Sequence, residues 1–448
     1  MPACLALYVP DISGRVSALD SNRLLISHLL RRAGFGASSA ELDQYAAMGY
    51  QAAVEQLLNF DQVADSGQQD FANPADPTNP RQGLPDLQLW WLNRMLTTKR
   101  PLQEKMTLFW HGHFATGASK VGSTAKMAQQ NQLFRQQALG SFSTLLKAVS
   151  IDPAMMRWLD NDTNQKGSPN ENYAREVMEL FTMGIGTYTE QDVKEGARAL
   201  TGWVAKRDAT QSDFVQKRFD DGSKTYLGHT GNLGLDDVVG ILSSSPNTAK
   251  FVGRKLARFF ISDSPDDGTI AAIANTFSAS NGDMKQVLRT VLTSPAFMDP
   301  SQFMNKITSP AEYVVSNLKI LGAKAVDKSV LAAMKNMGQE LFEPPNVAGW
   351  SGGHSWLNTD TIFTRLNFAD RITSNRAADG PAYVDPNALL NGASDAVGHF
   401  VDLLTDGQMA DANRQALSDY FASAAKAADA KVRGLVHLVL STPTAQMN

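Results

Sequence analysis

Apolar residues recur along this chain at three- and four-residue intervals far more often than they alternate, and that spacing predicts helices. After Ser21, a natural N-cap, RLLISHLLRRAG sets Leu24, Leu25, Leu29 and Ala33 at helical spacing, and Gly34 supplies the stop. A helix is predicted over 86–98 with Leu87, Leu89, Trp90, Trp91 and Met95. Pro101 then opens LQEKMTLFWHGHF as a first-turn proline. Further helices are predicted at 124–149, 168–183, 189–204, 234–244, 247–261, 268–280, 283–294, 308–321, 327–338, 358–377 and 411–440. Strand patterning is scarce. One hairpin is expected, FVQKRF against SKTYLG, turning on Asp220-Asp221-Gly222. The fold class that follows is mainly α: a large multi-helix globular domain with one small β-hairpin and a helical C-terminal segment.

Turn-forming residues thicken at 61–86, 343–354 and 374–394. The last stretch predicts a linker. The expected organisation is a main helical domain over 20–375, a linker over 376–390, and a C-terminal helical segment over 391–448 packed on the main domain. The segments TLLKAVSIDPAMM, QVLRTVLTSPAFM and GLVHLVLSTPTAQM echo one another, each an amphipathic helix followed by a proline that forbids its continuation. Their spacing is far too wide for a solenoid.

Composition narrows the function classes. The 448 residues are 43% hydrophobic and 19% charged, which suits a folded, soluble chain. A net charge of -4, from 41 basic and 45 acidic residues, leaves no electrostatic footprint for nucleic acid. The lone Cys4 excludes an internal disulfide and a cysteine-based zinc site, so His, Asp and Glu are the strong ligands left. No stretch approaches the roughly 20 apolar residues of an integral membrane segment. The opening MPACLALYVPDISGRVS has no basic n-region, so the expectation is a cytoplasmic protein.

Four segments carry candidate chemistry. In Phe109-Trp110-His111-Gly112-His113-Phe114, two histidines at i and i+2 would point about 200° apart on a helix. An unwound backbone at Gly112 would let both imidazoles converge on a metal or a reacting group. In SPNENYAREVMELF, Ser168, Pro169 and Glu171 read as a capping box, and Glu171 can pair with Arg175. Asn172, Glu176 and Glu179 share one stripe of that helix; facing inward, the two glutamates would need a proton, a cation or a metal. Arg175 or Arg198 could supply the cation. His229, after the hairpin, is a third candidate imidazole. PPNVAGWSGGHSW, with Trp350, His354 and Trp356, is a rigid-then-flexible loop that either walls a pocket or plugs a gap between helices. His28, His399 and His437 read as packing or surface residues. There is no Walker loop, dinucleotide fingerprint, Gly-x-Ser-x-Gly elbow or His-Glu-x-x-His.

HLLRRAGFG, PLQEKMTLFWHGHF, NENYAREVMELFTMGIGTYTEQDVKEGARALTGW, KTYLG, FVGRKLARFF and LFEPPNVAGWSGG together resemble the bacterial domain-of-unknown-function 1800 family, over about 22–375 and more faintly to the end. The resemblance implies a mainly helical protein, export in many members, and work beside a phosphatase- or sulfatase-like protein partner. It implies no settled activity.

Two functions are then in view. One is a metal-dependent hydrolase in which His111, His113, Glu176 and Glu179 hold a divalent ion (Zn, Mn or Fe) and a spare carboxylate acts as base. In it Glu176, Glu179 and His113 are the catalytic groups, and Asn172, Arg175, His229, Trp350 and His354 contact substrate. The other is a non-catalytic helical binding or assembly protein that uses the tryptophan loop as its contact surface. A metal-free acid/base enzyme on the same carboxylates and imidazoles is a third option.

Overall fold

The computed structural model describes residues 21–71, 83–206, 211–374, 384–390, 392–423 and 428–448. Most predicted helices are present, with ends trimmed by caps that the pattern understates. The 124–149 prediction divides into Thr124–Gln136 and Phe142–Ser150, broken by the turn at Gly140; of the 411–440 prediction, Asp411–Ser423 and Ala428–Leu440 are helical and 424–427 lie outside the described residues. The echoed prolines do more than stop helices. Pro153 and Pro295 each occupy the first turn of the next short helix, capped by Asp152 and Ser294.

Two hydrophobic cores organise the chain. The first gathers helices Ser21–Arg32, Tyr50–Leu58, Phe142–Ser150, Glu171–Glu179, Pro246–Phe260, Asp267–Ala279 and Met284–Leu292. The second gathers Leu84–Thr97, Pro310–Ile320, Thr359–Thr373 and the C-terminal helices Ala396–Thr405, Asp411–Ser423 and Ala428–Leu440. The C-terminal helices are also tied to the first helix, since Ser27 and Arg31 both bond the buried Asp406 carboxylate at 2.7–3.0 Å. The linker expected over 376–390 falls mostly outside the described residues, and its end forms the short helix Pro386–Leu390.

Helix Pro101–His113 runs between the two cores. Leu102, Met106, Phe109 and Trp110 pack into one, Leu108 into the other, and every residue but Gly112 is buried. Its charged side chains are therefore matched internally. Glu104 accepts from Arg94 (2.7 Å), from Arg135 (2.6 and 2.9 Å) and from the Trp91 indole (2.9 Å). Lys105 pairs with Glu312 and also bonds the Gly34 carbonyl at 2.9 Å.

The β-structure differs from the expected hairpin. Among the described residues there are two antiparallel pairs, Trp203–Ala205 with Ser212–Phe214, and Lys224–Tyr226 with His229–Gly231. The second turns on Leu227 (φ 46°) and Gly228 (φ 83°), a two-residue turn whose positive φ angles match strand twist. Asp220 accepts from the Gly222 N–H (3.0 Å) as well as from Arg198 (2.8 Å), but the residues before it form the 3-10 turn Gln216–Arg218, so the Asp220 turn leads into strand Lys224–Tyr226 and does not join two strands. No helix among the described residues is long and apolar enough to cross a membrane.

Candidate functional site

Gly112 does not unwind its helix. The α-helix continues through His113, with the Phe114 N–H still bonded to the Trp110 carbonyl, and the two imidazoles diverge. His111 Nε2 accepts from the Phe342 backbone N–H (3.1 Å), and the ring stacks edge-on against Trp91 and Phe342. Burial pushes it down to about 3, so it is neutral at pH 7. His113 Nε2–H donates to the Phe181 carbonyl (3.0 Å), leaving Nδ1 as a bare acceptor without a partner among the described residues. Its burial, with Lys255 nearby, holds it well below the ordinary imidazole range despite the Phe181 bond.

The segment following the glutamate helix meets the histidines through Phe181, whose carbonyl bonds His113 and whose ring lies against Phe114. The helix begins at Glu171 rather than 168, because Asn170 is the N-cap, accepting from the Asn172 N–H, while the Asn170 N–H is held by Asn164. Glu176 and Glu179 are half-buried near the surface. Glu179 accepts from the Tyr188 hydroxyl, and desolvation plus the Glu179 charge raises Glu176. Neither arginine neutralises them: Arg175 forks onto Glu190 (2.7 and 2.8 Å), with Glu171 at 3.6 Å, and Arg198 holds Asp220 and Glu195. Asn172 is exposed and reaches Asp160, and His229 and His354 are exposed on a strand and a 3-10 turn. The structure thus does not bring His111, His113, Glu176 and Glu179 to one point. Among the described residues no group of three His, Cys, Asp or Glu side chains could hold a metal ion.

Two of the candidate residues do meet, at a different place. His113 and Trp350 line a cavity of about 330 Å³ between the two cores, a volume suited to a small ligand. The VAGW loop is a wall of this cavity rather than a plug. It docks tightly on the histidine segment: at Gly349 (φ 79°) a Cβ would stand 2.5 Å from the Gly112 carbonyl oxygen, so only glycine fits. Gly352 and Gly353, also at positive φ, carry the loop on to Trp356. Phe109, Phe259, Trp350 and Trp356 give the cavity aromatic walls.

Its charged lining is the part that motif reading missed. Lys255 and Arg258 project from helix Pro246–Phe260, Asp263 follows that helix, and Lys306 and Glu312 come from the segment around Ser309. The Glu312 carboxylate is already engaged, by Lys105 behind the wall and by the Ser309 N–H (2.9 Å) as part of a capping box. Asp263 stands 3.9 Å from Lys306. Neither Lys255 nor Arg258 has a carboxylate partner among the described residues. Lys255 Nζ donates to the Leu180 carbonyl (3.1 Å) and lies 5.0 Å from the Phe251 ring centre. Desolvation, with Arg258 adding repulsion, lowers Lys255 to about 8. The available signal was FVGRKLARFF, where Lys255 and Arg258 fall at i and i+3 on a helix that is otherwise strongly amphipathic.

The fold and the cavity together define a large, mainly helical protein with a partly open, aromatic-walled basic pocket between two cores. The chain belongs to the family described as "Protein of unknown function (DUF1800)", whose model matches residues 28–447. No curated protein and no solved structure matches the chain.

Proposed function

We propose that this protein is a mainly helical binding protein whose partly open cavity between the two cores takes a small anionic ligand with an apolar or aromatic part. One observation carries the reading. Lys255, Arg258 and Lys306, brought from two separate segments, line one cavity in which the only acidic side chains among the described residues are Asp263 and the already paired Glu312. Lys255 and Arg258, without a carboxylate partner among the described residues and beside aromatic walls, favour an anion held by charge-assisted hydrogen bonds, with its apolar part against Trp350. An oxyanion pocket also suits the phosphatase- or sulfatase-like partner that the family resemblance implies, since such enzymes release oxyanions.

The test is a tryptophan-fluorescence titration with inorganic phosphate, sulfate and phenyl phosphate. Saturable quenching is expected, tighter for phenyl phosphate, and weakened about tenfold by Arg258→Gln, the equivalent of one charge-assisted hydrogen bond. Absence of saturation, or an Arg258→Gln response equal to wild type, overturns the proposal. The competing reading, a metal-dependent hydrolase on His111, His113, Glu176 and Glu179, needs the buried imidazoles to release their bonds to Phe342 and Phe181. Elemental analysis of wild type beside His111→Ala and His113→Ala decides it: stoichiometric metal lost in both variants would restore that reading.

A further inference from the structure

Lys255 is placed unlike the other lysines of the cavity region. Lys105 is held by Glu312, and Lys306 stands near Asp263, whereas among the described residues Lys255 meets a backbone carbonyl and the face of Phe251 and no carboxylate. Its helix sets the side chain in the wall of the cavity that His113 and Arg258 also line. A neutral amine keeps the hydrogen bond to Leu180 through one N–H and still presents its lone pair. That is the arrangement a nucleophilic amine requires: desolvated, near a second cation, and without a carboxylate to hold its proton.

We infer that Lys255 forms an imine with an aldehyde or ketone that also carries an anionic group, and that Arg258 and Lys306 hold the anion. The step is self-contained. The Nζ lone pair attacks the carbonyl carbon, the carbonyl oxygen takes the two amine hydrogens and leaves as water, and a C=N bond remains. No oxidant or reductant is consumed, and a second water reverses the step. The inference rests on the anion-binding reading of the same cavity, because the anionic group is what selects this ligand over a simple aldehyde.

The experiment uses the full chain with pyridoxal 5′-phosphate as probe, trapped by sodium cyanoborohydride and located by peptide mass mapping. Pyridoxal without phosphate is the comparison, and free inorganic phosphate the competitor. Lys255 is expected to be the first lysine modified at substoichiometric reagent, with labelling at least tenfold slower for pyridoxal and suppressed by phosphate. In Lys255→Arg the early adduct disappears while labelling of the exposed lysines is unchanged. Labelling spread over exposed lysines such as Lys120, Lys206 and Lys328, unchanged in Lys255→Arg, overturns the inference and leaves anion binding standing if phosphate still quenches. Equal labelling of Lys255 by pyridoxal, with no protection by phosphate, overturns the anion-selected imine and the anion reading together.

Discussion

Replacing Lys105 by methionine removes one partner of a pair buried where two cores meet, and the structure sets the size of the effect. Glu312 is 4% exposed, and burial alone would push its carboxyl up. Lys105 and Lys306, with the Ser309 N–H, instead hold it down from 4.5 to about 2. A shift of that size corresponds to about 3 kcal/mol of preference for the charged form in the folded state. Because the folded pKa lies below the unfolded one, this contribution is fully present above about pH 4.5 and is lost as pH falls toward 2. Lys105→Met leaves the carboxylate buried against Lys306 and the capping N–H only. The expected cost is about 3 kcal/mol, within the range for breaking a buried pair from one side. Lys105→Met/Glu312→Met removes both charges and should recover most of it. Urea unfolding at pH 7 and at pH 3 measures both effects. A single variant within about 0.5 kcal/mol of wild type, or a double variant no more stable than the single, refutes the reasoning.

Three further predictions concern other elements. Gly349→Ala places a methyl against the Gly112 carbonyl at positive φ, so it should cost about 1–3 kcal/mol and abolish phosphate-induced quenching by displacing Trp350; unaltered stability and quenching would mean the loop is not pinned there. Asp406→Ala strips the buried Arg31 of its carboxylate and should cost about 3–5 kcal/mol and speed tryptic cleavage within 411–448, as read by mass spectrometry; a wild-type cleavage rate would contradict the tie between first and last helices. His111, held neutral by burial with a pKa of about 3 against 6.5, stabilises the fold above about pH 6.5 and less and less as pH falls toward 3. Wild type should therefore lose about 2 kcal/mol between pH 7 and 5 that a His111→Asn variant does not, and equal losses in chemical denaturation would exclude this origin.

Most of the secondary structure was legible because it is locally encoded. Apolar residues at helical spacing with Ser, Thr, Asp or Pro at the start produce helices such as Pro310–Ile320 and Glu190–Ala199 whatever packs on them. Where two local codes competed, the pattern misled. Asp220-Asp221-Gly222 does bend the chain, but Gln216–Arg218 before it is a 3-10 turn and the hairpin turns at Leu227-Gly228. Ser168-Pro169 is a good helix start, but Asn170 caps instead.

The sequence by itself determined a mainly helical chain, its family, and the VAGW loop as a segment out of the ordinary. Only the tertiary structure decided that the His-Gly-His segment stays helical and sends its imidazoles to different partners, that the glutamate stripe remains at the surface, and that Lys255, Arg258 and Lys306 share a cavity with Trp350. The physical reason is distance along the chain. Helix periodicity and capping depend on residues three or four positions apart, whereas the cavity joins side chains from segments more than 200 residues apart, and no local spacing encodes which cation is left without a carboxylate once the cores have closed.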